Sequence, residues 1–135
     1  MTPILIGRWQ SRIFLMGTVG TFVTTFFFFA TGSIIPYVIL AQVTLAGLGW
    51  DVLYDVLQRQ RWDHDWPPIL QLLTGLLEGV AIFLPLYLLR LIAPLPSPGL
   101  FWLHYGLVWL TTFLAGQSIM RILFPRWRYH GGQII

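Results

Sequence analysis

A chain of 135 residues has room for one domain, but 56% hydrophobic and only 10% charged residues exclude a soluble fold of that size. A mean hydropathy of +0.72 fits a chain whose outer surface is meant for lipid. The net charge of +3 comes from eight arginines against five acids, and those arginines flank apolar runs; this reads as membrane topology, not as a phosphate-binding face for nucleic acid. With no cysteine there is no disulfide framework, thiolate zinc site, iron–sulfur cluster or cysteine nucleophile.

In chain order, Arg8 and Trp9 form an interfacial pair ahead of a first predicted span, 11–31. Arg12 before an apolar run also has the look of a signal peptide, but no convincing small-residue cleavage site follows. Gly17, Thr21 and Thr24 share a helical face of small residues, which lets another helix approach closely. Gly32 and Ser33 break the run, and Pro36 opens a second span, 36–57. Gln42, Ala46 and Gly49 line one face of it; Gly47, Asp51, Asp55 and Gln58 line another. The loop QRQRWDHDWPP follows, and Pro68 starts a third span, 68–92. Gly75 and Gly79 make a G-x-x-x-G, a helix–helix contact, and Pro85 is expected to kink the outer half. After APLPSPG comes the fourth span, 100–124, with Gly106, Trp109, Thr112 and Gly116 as its packing face and Pro125 as its stop.

Each span is long enough to cross about 30 Å of hydrocarbon at about 1.5 Å per residue. The fold class is therefore all-α: one integral membrane domain over residues 1–135, a four-helix up-down bundle. Seven arginines fall on one side and only Arg90 on the other, which places both termini and the central loop in the cytoplasm.

All five acids lie between Gly47 and Gly79. Glu78 sits about 15 Å into its span, where a carboxylate must face protein, water or a partner. It reads as a neutral or paired structural group, or as a proton or cation relay. Asp51 and Asp55 stand one turn apart, and Gln117 and Arg121 should lie at similar depth on the fourth span. We expect an intramembrane polar cluster of Asp51, Asp55, Gln71, Glu78, Gln117 and Arg121, with Arg121 pairing one or both aspartates. An Asp-x-x-x-Asp pair can also hold Mg²⁺ against a diphosphate in lipid-modifying enzymes, but the further acidic and glycine motifs of such enzymes are missing. Asp63, His64 and Asp65 offer metal ligands within three residues, yet no second histidine stands at ligand spacing, so no metal site is predicted. Arg61, Trp62, Asp63, Asp65 and Trp66 read better as an ordered interfacial loop able to dock a partner. His104 near the outer end of the fourth span is a weak candidate pigment ligand; no cofactor is predicted. Arg126, Trp127 and Arg128 read as an anchor to anionic headgroups.

The run Gly49-Trp50-Asp51, Tyr54-Asp55, Gln58, Arg61-Trp62-Asp63, Asp65-Trp66-Pro67, Gln71, Gly75 and Glu78-Gly79 resembles a family of small bacterial four-span membrane proteins. The resemblance covers about a quarter of the chain. It implies the four-span topology and a bacterial source, cyanobacterial or actinobacterial, and it carries no activity.

The expected function is a non-enzymatic accessory or scaffold subunit of a larger bacterial membrane complex, in the cytoplasmic or thylakoid membrane. Its partners would be other membrane subunits or copies of itself, and the bilayer, with no nucleic acid. The alternative is a small oligomeric proton- or cation-coupled carrier that uses Glu78.

Overall fold

The computed structural model describes residues 3–135, and among them every regular element is helical. Helix α1 (Leu5–Leu15) runs through a π-helical turn (Met16–Gly20) into α2 (Thr21–Thr31). α3 is Ile35–Gln60, α4 is Pro68–Leu88, α5 is Pro98–Gln117 and α6 is the short Ile119–Leu123. Four helical stretches, Leu5–Thr31, Ile35–Gln60, Pro68–Leu88 and Pro98–Leu123, are long and apolar enough to cross a membrane.

The local reasons are legible residue by residue. In the π turn the Thr21 backbone N–H reaches back five residues to the Met16 carbonyl, and Thr21 Oγ1 donates to the same carbonyl at 3.2 Å. α2 stops at Gly32, whose φ of 62° is the left-handed cap that glycine adopts without a Cβ clash. Ser33 Oγ then accepts from Ile35 N–H, and Pro36 occupies the first turn of α3, where its missing donor costs nothing. Ser97 caps α5 by accepting from Leu100 N–H at 3.2 Å.

Three boundaries differ by about a turn or more from those read off the sequence, each for a local reason. The first helix starts at Leu5 and not near Ser11, which brings Arg8 and Arg12 onto it one turn apart. α4 ends at Leu88, short of Ile92. Arg90 turns left-handed at φ 48°, and Leu91 N–H reaches back to the Leu86 carbonyl. The last helix breaks at Ser118, whose hydroxyl bonds the Leu114 carbonyl at 2.6 Å and competes with the backbone ladder.

α1 and α2 pack against α3 and α5, and α4 packs against the same two helices. The apolar core lies among them: Ile35, Ile39, Leu40, Ile82, Leu86, Phe101 and Val108, with the tilted rings of Phe83, Tyr87 and Trp102 packed alongside. The outward faces are as apolar as the core. Phe22, Phe26, Phe29, Leu45, Leu77 and Ile122 are exposed, which suits a hydrocarbon surround. The G-x-x-x-G works as a contact with aromatic partners. A Cβ at Gly75 would run into the Trp109 indole, and one at Gly79 would press on Tyr105 and Trp102.

The chain closes on itself at one end. The Gly131 carbonyl accepts from Ile4 N–H at 2.8 Å, the Gly132 carbonyl from Ser11 Oγ at 2.8 Å, and Gln10 Oε1 from Ile134 N–H at 2.8 Å. Trp127 is buried and donates its indole N–H to Ser11 Oγ at 2.7 Å. Within the Arg126-Trp127-Arg128 segment the tryptophan points inward and latches the tail across α1, while both arginines stay exposed.

Candidate functional site

The site begins with Arg12 on α1. Its Nε donates to Asp51 Oδ2 and its Nη2 to Asp51 Oδ1, both at 2.8 Å, a bidentate fork. The same guanidinium turns its other edge to α4. Nη1 reaches Glu78 Oε2 at 3.0 Å and Nη2 reaches Glu78 Oε1 at 3.2 Å. One cation thus holds carboxylates from two different helices. Asp51 is 3% exposed and Glu78 5%. Each of these groups alone in a low-dielectric interior would cost several kcal/mol; four charge-assisted hydrogen bonds among them offset that cost.

The surrounding residues make room for the guanidinium and hold it. A Cβ on Gly47 would collide with it, so glycine there lets Arg12 lie flat against α3. Tyr54 and Tyr105 flank Glu78; Tyr54 Oη donates to the Thr74 carbonyl at 3.5 Å and Tyr105 Oη donates to the Gly75 carbonyl. One turn before Arg12, Arg8 bonds Gln58 and lies over the Trp66 ring, 4.9 Å from its centroid.

This geometry corrects the expected pairing. Arg121 bonds neither aspartate: its Nη2 donates to Gln117 Oε1 at 2.7 Å, and Gln117 Nε2 donates to Gln71 Oε1 at 3.4 Å. The break at Ser118 turns Arg121 away from the straight line of α5 on which the expectation rested. Asp55 pairs instead with exposed Arg59 on its own helix at 2.7 Å. The six residues predicted as one cluster therefore form three groups: Asp51 with Glu78, Asp55 with Arg59, and Gln71–Gln117–Arg121. Arg12, which joins the first pair, reads from the sequence only as a flank. The signal that could have found it is the Arg8/Arg12 spacing of four behind an apolar Ile4-Leu5-Ile6 start.

The first and third groups share a cavity of about 200 Å³ between α1, α4 and α5. Arg12, Asp51 and Glu78 lie on its wall, together with Trp109, Phe113, Arg121 and Arg128.

In the loop after α3, Arg61 holds Asp63 through two bonds of 3.0 and 2.8 Å, and this holds the Asp63 carboxyl down at about 2. His64 is left-handed at φ 50°, and its carbonyl accepts from Gln58 Nε2 at 2.8 Å. Trp62 is fully out in the surround, whereas Trp66 is buried against Tyr54. Among the described residues no three His, Asp or Glu side chains converge as metal ligands.

His104 is 2% exposed. Its Nε2 lies 2.9 Å from Thr24 Oγ1 and its ring meets Phe27 edge-on, so it ties α2 to α5 from within and presents no face to a pigment in lipid. No family model, curated protein or solved structure matches the chain.

Proposed function

We propose that the protein is a non-enzymatic accessory or scaffold subunit of a larger bacterial membrane assembly. In this reading it is an up-down four-helix bundle with both termini and the 61–67 loop at the cytoplasmic face. The arginine asymmetry supports that orientation, and the resemblance of residues 49–79 to small bacterial four-span proteins supports the host.

One observation carries the reading: both carboxyl oxygens of Glu78 and both of Asp51 accept from Arg12. A relay needs an acid that can exchange its partner, whereas both acids here are engaged by one guanidinium that ties α3 and α4 to α1. The outer surface adds support. A Cβ at Gly17, Gly49 or Gly106 would meet nothing within 4 Å, so these small-residue positions go unused by the chain's own helices and suit a neighbouring helix.

A carrier that uses Glu78 is the second reading, favoured by the cavity that reaches Glu78 and Asp51. Purified protein in liposomes with a pH-sensitive dye inside separates the two. The scaffold reading expects no proton or cation flux above empty vesicles, and fixed partner subunits in mild-detergent eluates from the native membrane. Flux that Glu78→Gln abolishes would overturn it.

A further inference from the structure

We propose that the cavity between α1, α4 and α5 binds the phosphate-bearing head of an anionic amphiphile, with Arg121 and Arg128 as its charge partners. The argument begins with where the charges go. Asp51 and Glu78 are held by Arg12, Asp55 by Arg59 and Asp63 by Arg61. Arg121 and Arg128 line the cavity, and among the described residues no carboxylate lies within 4 Å of either. Arg8 lines it too, and its Nε is buried without a hydrogen-bond partner. The two acids on the wall are tied by Arg12, Arg8 adds a positive charge that bonds Gln58 and no carboxylate, and Arg121 and Arg128 are two further cations left to face an incoming anion.

The hydrogen-bond directions agree. Arg121 can only donate, so the Gln117 atom it meets is the carbonyl oxygen. That leaves the Gln117 amide to donate to Gln71 Oε1, and the Gln71 amide then has its own N–H groups free beside the cavity. Phosphate oxygens accept; they are what such a rim of donors recognises. Leu15, Met16, Trp109 and Phe113 add apolar and aromatic wall, with the hydroxyls of Ser11, Tyr54, Thr74 and Thr112 among them. At about 200 Å³ the space is below the roughly 300–1,000 Å³ that encloses a drug-sized ligand, so it takes a head and leaves the chains in the bilayer. This site is independent of the scaffold reading, because no partner protein enters the argument.

The test uses the full chain in detergent, titrated with short-chain phosphatidylglycerol, phosphatidylcholine or inorganic phosphate, and read by native mass spectrometry. Phosphatidylglycerol should bind at least about tenfold more tightly than phosphatidylcholine, the size of loss expected when charge-assisted bonds are removed. Arg121→Gln with Arg128→Gln should abolish that preference. Arg90→Gln with Arg126→Gln removes equal charge away from the cavity and should leave it within about twofold. Gly116→Leu, which fills the cavity and keeps every charge, should weaken phosphatidylglycerol as well. Unchanged helical circular dichroism and a single elution peak qualify each variant. Equal binding of the two lipids, or equal loss in both double variants, would overturn the proposal. Inorganic phosphate bound as tightly as phosphatidylglycerol would also overturn it, by assigning the cavity to a soluble anion.

Discussion

The two halves of this bundle are held together by different physics. Around Arg12 the helices are joined by a few directional, charge-assisted bonds, next to the point where the tail closes on Ser11. Around Phe101 and Leu86 they are joined by many weak aliphatic and aromatic contacts without a single charge. Dispersion packing is graded: losing one methylene loses a fraction. A buried ion pair behaves as a switch, because removing one partner leaves the others uncompensated. The charged half should therefore fail abruptly and the aromatic half gradually.

The largest expected effect follows from removing the shared cation. Arg12→Gln leaves two buried carboxylates facing each other and should lower stability by about 3–5 kcal/mol in a denaturing-detergent titration. Replacing Arg12, Asp51 and Glu78 together by Leu should recover most of that loss; no recovery would mean that the carboxylates were not the cause. In the other half, Leu86→Ala should cost about 2 kcal/mol, toward the lower end of core truncations, because lipid is as apolar as the site and only packing is lost. A loss as large as that of Arg12→Gln would erase the contrast.

Trp127→Phe keeps an aromatic ring but loses the five-membered ring of the indole and its bond to Ser11, so it should cost about 1–2 kcal/mol. The expected readout is faster hydrogen exchange at the Ile4 and Ile134 amides, with the Arg12 region unchanged. The smallest effect lies outside both halves, in the loop. The Arg61–Asp63 tie holds the Asp63 carboxyl near 2, below its ordinary value near 3.8. A lowered folded value means that the tie contributes fully above about 4 and is lost as pH falls through about 2. Loop exchange protection, corrected for intrinsic rates, should be flat from pH 7 to 4 and fall only below that. Asp63→Asn should remove the step.

The sequence made the four rods plain, because runs of Phe, Leu, Ile and Val bounded by Pro36, Pro68 and Pro98 admit little else. Glycines at 75 and 79 were legible as a helix contact for the same reason. The charge partner was not. From sequence alone Arg12 reads as a flank, because hydropathy starts the first helix six residues past Leu5, and Arg121 reads as the partner, because nothing in the apolar run marks the break at Ser118. Both errors concern depth, which hydropathy sets only to within a turn or two, and a salt bridge needs depth matched within about one turn. The tail was also missed: Gly131 and Gly132 supply left-handed turns that fold Trp127 and the last residues back onto α1, and nothing in a basic-aromatic run announces that.

The pairing itself is open to direct measurement by a double-mutant cycle on Arg12→Gln and Glu78→Gln, with the same cycle on Arg121→Gln and Asp51→Asn beside it. The structure predicts a coupling of about 2 kcal/mol or more for the first cycle and none for the second. A first cycle that is additive, or a second that couples as strongly, would contradict a bundle tied together by Arg12.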